Sequence, residues 1–182
     1  HAIKIITSPK KIIKIFGKKY LNPTKITIPG DPSSASFFTA LTILNKNSRL
    51  LIKKVGLNPT RIGFYELLKK HGAKIKFINK RILGNEIIGD IEVKSGKLKR
   101  PIIASKEFYE RTTDEFPILF CISALTNGVS IFRGIEDLAN KESNRITEMQ
   151  KVLKQAGVKS IAKKNEMKIF GKKNINNKNK KI

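Results

Sequence analysis

The sequence contains one cysteine, two histidines and no tryptophan. A single Cys121 cannot form an internal disulfide, and with only His1 and His71 beside it we predict no metal site. Apolar runs are also short: the longest, residues 117–125, ends at Thr126, well below the roughly 20 residues that a membrane span needs. The first residues carry neither a hydrophobic signal core nor an initiator methionine. We therefore expect a soluble, cytoplasmic protein with no membrane partner.

Acidic residues are scarce, with 14 Asp and Glu against 38 Lys and Arg, and the net charge is +24. Such a charge attracts anions, so nucleic acid is the first partner to consider. The lysines are scattered, however, and no run of interleaved aromatic residues offers a stacking surface for bases. Lys, Ile and Asn are abundant together, as an A/T-rich coding sequence produces. We therefore favour compositional bias and expect no nucleic-acid partner.

Internal repeats are the clearest feature of the organisation. The 182 residues, 40% hydrophobic and 29% charged, fit one globular domain, or one domain and part of another. Residues 39–42 (TALT) return at 123–126 (SALT), Asp31 at Asp114, and Arg61-Ile62 at Arg145-Ile146, with offsets of 83 or 84 residues. We infer a partial domain, 1–182, built from units at about 1–72 and 73–157 and the start of a third at 158–182.

Strand and helix patterns mix within each unit, which predicts an α/β or α+β protein whose helices cover sheets. Apolar runs predict strands at 2–7, 11–17, 25–29, 49–55, 73–78, 90–93, 101–104 and 129–133. Periodicity and end signals predict helices at 32–44, 60–71, 114–125 and 145–156. We expect Asp31 and Thr60 to cap helices and Cys121 to be a small core residue. In the last helix the predicted buried face contains Ile146, Met149, Val152, Leu153 and Ala156.

The segment Lys141-Glu142-Ser143-Asn144-Arg145 carries the strongest chemical signal. A helix amino terminus prefers acids in its first turn, yet Lys141 and Arg145 put two cations there, four residues apart on one face. This arrangement favours an anion bound between them, although a solvated surface on a lysine-rich chain explains the same charges. Glu142 precedes Arg145 by three residues, so it can pair with this arginine or transfer protons.

Asp114, at the start of an apolar helix, is the second candidate. It can be a catalytic carboxylate or simply an N-cap like Asp31, and Glu115 can share the capping role. Residues 30–35 (GDPSSA) resemble a phosphate cradle in their glycine and serines, but lack the lysine and glycine spacing of a P-loop. Arg61 stands at another helix start, where it faces either solvent or an anion.

Four segments, in this order and spacing, resemble one known family. They are residues 28–35 (IPGDPSSA), 55–61 (VGLNPTR), 113–117 (TDEFP) and 141–145 (KESNR). Together they are similar to the 5-enolpyruvylshikimate-3-phosphate synthases, the 3-phosphoshikimate 1-carboxyvinyltransferases of the shikimate pathway, which leads to chorismate and aromatic amino acids. The resemblance implies an α/β, enolpyruvyl transferase-like fold, an inside-out α/β barrel of repeated βαβαββ units, here truncated.

The resemblance also implies a reaction. The enolpyruvyl group of phosphoenolpyruvate is transferred to the 5-hydroxyl of shikimate 3-phosphate, phosphate is released, and neither a cofactor nor a metal takes part. Family members are longer, and the motifs that complete both substrate sites are missing from this sequence. We therefore expect only part of an active site, no activity from this chain alone, and a monomer when the protein is complete.

Site roles follow from the resemblance, position by position. Asp114 matches the aspartate that binds the shikimate hydroxyls and accepts a proton, and Glu142 the glutamate that donates one. Lys141 matches the lysine at shikimate 3-phosphate, and Arg145 the arginine at phosphoenolpyruvate. Asp137, more weakly, matches a position that contacts the shikimate moiety in some relatives.

Three positions depart from the family pattern. Ala139-Asn140 stand where Arg-Val is usual, and Asn144 stands where an aspartate precedes the final arginine. Because a carboxylate at position 144 could orient Arg145, we expect its replacement to alter how that arginine is placed.

Two other functions fit parts of the sequence. A UDP-N-acetylglucosamine enolpyruvyl transferase shares fold and chemistry, although the segment from Lys141 to Arg145 argues against it. A basic RNA-binding module is the alternative from another class, because the fold is related to that of RNA 3′-phosphate cyclases. A steep dependence of RNA affinity on salt would support that alternative.

Overall fold

A computed structural model describes residues 4–9, 12–18 and 20–172. It begins with a short antiparallel hairpin of β1 (Ile5–Thr7) and β2 (Ile13–Ile15). The hairpin prediction is confirmed at these residues, while residues 2, 3 and 11 lie outside the described ranges. The strand predicted at 25–29 is wrong. This segment is exposed as far as Ile28, and among the described residues no strand pairs with it.

The first helix, α1 (Pro32–Leu44), has the predicted bounds because its start is encoded locally. The Asp31 carboxylate accepts a hydrogen bond from the Ser34 N–H at 2.8 Å, and a proline occupies the first turn. Just before it, the Gly30 N–H donates to the Lys54 carbonyl at 2.8 Å. This backbone bond fixes the start of α1 to the strand that follows.

The first sheet is antiparallel and contains β3 (Arg49–Gly56), β4 (Lys74–Leu83) and β5 (Glu86–Lys94) in the spatial order β3-β5-β4. β4 and β5 form a hairpin, and both strands are longer than those predicted at 73–78 and 90–93. Its turn residues, Gly84 and Asn85, have φ values of 56° and 67°, which a tight two-residue hairpin turn requires.

The second helix, α2 (Gly63–Lys70), begins later than predicted. Asn58 Oδ1 accepts hydrogen bonds from the Thr60 N–H at 3.0 Å and the Thr60 hydroxyl at 2.8 Å. These bonds form a separate turn, because an asparagine side chain can imitate a backbone turn two residues ahead. The predicted capping role of Thr60 is therefore wrong.

The second sheet contains β6 (Ile103–Ala104), β7 (Gly128–Arg133), β8 (Lys159–Lys163) and β9 (Glu166–Gly171) in the spatial order β6-β7-β9-β8. The pair β6–β7 is parallel and the others are antiparallel. The helix α3 (Phe116–Ala124) precedes β7, and α4 (Arg145–Gln155) follows it. Both helices are confirmed apart from their end residues.

One hydrophobic core joins the helices to both sheets. Tyr65 of α2 is fully buried, and its hydroxyl donates to the Pro32 carbonyl at 2.5 Å, which holds α2 against the start of α1. The rings of Phe116, Phe120 and Phe132 form a second cluster, with Phe120 and Phe132 edge to face at 4.9 Å.

His71 connects the end of α2 to β6. Its Nε2 accepts a hydrogen bond from the Ile103 N–H at 3.1 Å, so Nδ1 carries the ring proton and donates to the Leu67 carbonyl at 2.8 Å. Burial lowers the pKa of His71, which favours this neutral ring.

Two burial predictions fail. Cys121 is exposed, and Val152 is exposed although Ile146 and Leu153 of the same helix are buried. The reason in α3 is that nearly every face is apolar, so periodicity cannot identify the side that packs inward. Within the described ranges, no helix combines the length and apolar character required to cross a bilayer.

Candidate functional site

Asp114 lies just before α3, in a 3₁₀ turn formed by Thr113–Glu115. Its side chain makes no capping hydrogen bond, and neither does that of Glu115, which occupies the N-cap position of α3. The backbone explains this. Asp31 caps α1 from an extended conformation (φ −74°, ψ 124°), whereas Glu115 is already helical (φ −94°, ψ −3°). The capping interpretation of Asp114 and Glu115 is therefore wrong.

Arg145 connects two carboxylates from different parts of the chain. Its Nη1 donates to Asp114 Oδ1 at 3.2 Å, and its Nη2 donates to Glu142 Oε2 at 3.1 Å. Burial acts to lower the pKa of the Arg145 guanidinium, but the hydrogen bonds and charges of Asp114 and Glu142 raise that pKa overall. The pairing predicted between Glu142 and Arg145 is confirmed, and the contact with Asp114 brings the starts of α3 and α4 together.

The Asn144 side chain contacts the backbone of α4. Its Oδ1 accepts a hydrogen bond from the Thr147 N–H at 3.0 Å and so caps α4. Asparagine and aspartate cap helices about equally well, so this position tolerates the change without loss of the helix. Arg145 is held by Asp114 and Glu142, and the effect of an aspartate at position 144 stays a prediction.

Glu142 is an ionised carboxylate in this arrangement. Hydrogen bonds from its own backbone N–H and from Arg145, together with the charge of Arg145, hold the pKa of Glu142 below its ordinary value. The side chain is 83% exposed. It can therefore accept a proton directly, but it donates one only after its bonds with Arg145 weaken.

Lys141 lies beside this cluster and lines a cavity of about 240 Å³ together with Asp114. Among the described residues it makes no ion pair, so its ammonium group is available to an anion. The other residues lining the cavity come from two parts of the chain: Arg61, Glu110, Arg111, Thr112, Thr113 and Glu115.

Asp137 lies apart from this cavity. It lines a larger one, of about 670 Å³, along the segment that leads into α4. Asn140, Asn144 and the turn between β8 and β9 form other parts of its wall. Of the five candidate residues, Asp114, Lys141, Glu142 and Arg145 therefore lie together, whereas Asp137 lines the other cavity.

Glu115 is a charged residue of this region that sequence reasoning assigned only to capping. It is 3% exposed, and burial raises its pKa. A hydrogen bond with Ser33 and the nearby charge of Arg61 partly offset that effect. The sequence position of Glu115 next to Asp114 did not indicate that its side chain is buried, because this burial depends on the packing of α1 against the turn before α3.

The fold and the site together define a class of protein: an α/β domain that presents two carboxylates around an arginine, beside a free lysine. Cations of this kind bind anionic substrates, and paired carboxylates move protons. In the part of the chain that the structure describes, no three His, Cys, Asp or Glu side chains gather closely enough to hold a metal ion.

Comparison with known proteins identifies the family. The sequence model of EPSP synthase (3-phosphoshikimate 1-carboxyvinyltransferase) matches residues 2–179. The chain therefore belongs to the EPSP synthase family, and the resemblance found in its motifs is confirmed.

Individual relatives agree with this assignment. The 3-phosphoshikimate 1-carboxyvinyltransferase of Zymomonas mobilis is 40% identical over 161 residues, which are 88% of this chain and 35% of the relative. That of Aquifex aeolicus is 38% identical over 175 residues, 94% of this chain and 41% of the relative. A solved structure of EPSP synthase from Acinetobacter baumannii is 34% identical, with a TM-score of 0.85, over 94% of this chain and 38% of that one. The chain thus spans well under half the length of these relatives, and the α/β fold prediction is confirmed over that part.

Proposed function

We propose that this chain supplies part of the active site of an enzyme that transfers the enolpyruvyl group of phosphoenolpyruvate to the 5-hydroxyl of shikimate 3-phosphate. The observation that carries the proposal is the contact of Arg145 with both Asp114, at 3.2 Å, and Glu142, at 3.1 Å. It joins an anion-binding group and two proton-transfer groups within one small region. Family membership supports the same reaction.

The reaction requires a proton acceptor and a proton donor. The 5-hydroxyl loses a proton as its oxygen attacks C2 of phosphoenolpyruvate, and C3 gains a proton to give a tetrahedral adduct. The adduct then loses a proton from C3 and expels phosphate from C2, which restores the double bond. We assign Asp114 to accept the hydroxyl proton and Glu142 to exchange the proton with C3.

Arg145 and Lys141 are assigned to the substrate charges. Arg145 binds phosphoenolpyruvate and Lys141 binds shikimate 3-phosphate, each close ion pair being worth on the order of 4 kcal/mol at an effective dielectric of ~20. When Arg145 engages phosphoenolpyruvate, its bond with Glu142 weakens. The pKa of Glu142 then rises from its lowered value, and the carboxyl group can hold the proton that C3 needs.

The partners in this proposal are the two small-molecule substrates. We further propose a cytoplasmic monomer for the complete protein, with no nucleic-acid partner and neither a metal nor an organic cofactor. Asp137 stays a weaker candidate for shikimate contact, because it lines the other cavity.

A chimera tests the proposal. Residues of this chain replace the 161 aligned residues of the Zymomonas mobilis protein, and the chimera is expressed in a bacterium that lacks the synthase and requires aromatic amino acids. We expect growth without those amino acids, and loss of growth with Arg145→Ala. A chimera that melts in one cooperative transition but supports no growth would contradict the proposal.

A further inference from the structure

Arg61 occupies in the first repeat the position that Arg145 occupies in the second. The two arginines are 84 residues apart, and the aspartates at the preceding helix starts, Asp31 and Asp114, are 83 apart. Both repeats form the corresponding ion pair: Arg145 lies 3.2 Å from Asp114, and Arg61 lies 3.7 Å from Asp31. The chain therefore presents a second arginine at an equivalent place in the repeated pattern.

The two ion pairs differ in how many hydrogen-bond donors of the arginine they use. The Asp31 carboxylate already accepts hydrogen bonds from the Ser33 N–H at 3.3 Å and from the Ser34 N–H and hydroxyl, each at 2.8 Å. Its 3.7 Å separation from Arg61 exceeds hydrogen-bonding distance. The Arg61 side chain is 51% exposed, against 23% for Arg145. Among the described residues, its one side-chain hydrogen bond is to the Ser33 hydroxyl at 3.0 Å. Most of the five guanidinium donors thus stay available.

Arg61 and Lys141 line the same cavity of about 240 Å³. Of the other charged groups in its wall, Arg111 is paired with Glu66 at 2.6 Å, and Asp114 is paired with Arg145. Glu115 is buried beneath the surface. Two cations therefore face one cavity: Lys141, which makes no ion pair among the described residues, and Arg61, whose only ion pair there is the long one with Asp31. Glu110 is the opposing exposed charge.

We infer that Arg61 is a further substrate-binding residue, which holds the phosphate group of the acceptor in this cavity together with Lys141. The planar guanidinium can donate two parallel hydrogen bonds to phosphate oxygens, while the lysine adds a point charge. The inference rests on the proposed function for the identity of the acceptor. The binding of a phosphate group by Arg61 and Lys141 is independent of that proposed function.

The test uses the 182-residue chain and three probes: inorganic phosphate, shikimate 3-phosphate and shikimate. Each is titrated into the parent, Arg61→Ala and Arg61→Lys and followed by NMR chemical shifts, with melting temperatures measured on the same samples. We expect Arg61→Ala to weaken both phosphate-bearing probes by about 10-fold or more, because a charge-assisted hydrogen bond is lost, and to leave shikimate affinity unchanged. Arg61→Lys should be intermediate.

Two control variants separate binding from structure. Arg133 is equally exposed, at 53%, and pairs with Glu166 on the second sheet, so Arg133→Ala removes the same charge away from the cavity. Ser33→Ala removes the hydrogen-bond partner of Arg61 but keeps the guanidinium. Both should bind the phosphate-bearing probes within a few-fold of the parent.

Three results would overturn the inference: unchanged phosphate affinity in Arg61→Ala, an equal loss in Arg133→Ala, or no binding of either phosphate-bearing probe by the folded parent. Its failure can be told apart from failure of the proposed function. If the chimera supports growth while Arg61→Ala binds normally, only the role of Arg61 is wrong. If phosphate binding depends on Arg61 while the folded chimera supports no growth, only the proposed reaction is wrong.

Discussion

Replacing Asp114 with asparagine separates its catalytic role from a structural one. The carboxylate lies 3.2 Å from Arg145 and is 55% exposed. Two unit charges at that distance attract by ~5 kcal/mol at a dielectric of 20, but solvent screening at so exposed a group reduces the net value to about 1 kcal/mol or less. Asparagine still accepts a hydrogen bond from Arg145. We therefore expect the melting temperature to fall by about 4 °C at most.

Turnover should respond very differently. An amide cannot accept the hydroxyl proton, so Asp114→Asn in the chimera should lose ~100-fold or more in turnover, the usual contribution of a general base. Phosphate release and thermal melting are measured on one sample. Glu148→Gln is the matched control, because Glu148 is 53% exposed on α4, away from the cavity, and within the described part of the chain its one ion pair is with Lys151. An Asp114→Asn enzyme that melts like the parent and turns over within a few-fold of it would refute the catalytic assignment.

Three further predictions follow from the packing and the charges. A β-carbon at Gly63 would overlap a side-chain oxygen and a carbonyl oxygen of the neighbouring loop, so Gly63→Ala should cost ~1–3 kcal/mol in chemical denaturation, whereas Gly17→Ala, with no atom within 4 Å, should be neutral. Arg145→Ala should raise the pKa of Glu142, now held low by that arginine, in a carbon-detected NMR titration, and an unchanged value would refute the pairing. Burial raises the pKa of Glu115 above 4.5, so its contribution to stability is complete below that pH and is lost as the pH rises through the folded value. Glu115→Gln should therefore gain in melting temperature relative to the parent from pH 4 to pH 7, and a constant difference would contradict this.

The sequence predicted those elements whose signals are local. The bounds of α1 are correct because Asp31 and the proline after it define its start within a few residues. The strand predicted at 25–29 was wrong because a β-rich composition does not guarantee a partner strand. The prediction that Cys121 is buried was wrong because the exposed side of an apolar helix depends on what packs against that helix.

In the candidate site, too, the contact between residues close in sequence was predictable, and the contact between distant residues was not. The pairing of Glu142 with Arg145 follows from a spacing of three residues on one helix start. The contact of Arg145 with Asp114 spans 31 residues and depends on how α3 and α4 pack, which no local pattern encodes. The position of Arg61 in the cavity wall was not predictable either. The repeat indicates that Arg61 is equivalent to Arg145, but it does not indicate the direction of the side chain. The division into repeat units at about 1–72, 73–157 and 158–182 stays a prediction.

The most direct measurement is the release of inorganic phosphate from phosphoenolpyruvate by the chimera, with shikimate 3-phosphate or UDP-N-acetylglucosamine as the acceptor. Phosphate release reports the complete transfer, and the choice of acceptor separates the two enolpyruvyl transferases that the motifs could serve. We expect rapid release with shikimate 3-phosphate and none above background with the nucleotide sugar. Release with the nucleotide sugar alone, or none with either acceptor from a cooperatively folded chimera, would contradict the assignment of Asp114, Lys141, Glu142 and Arg145 to this reaction.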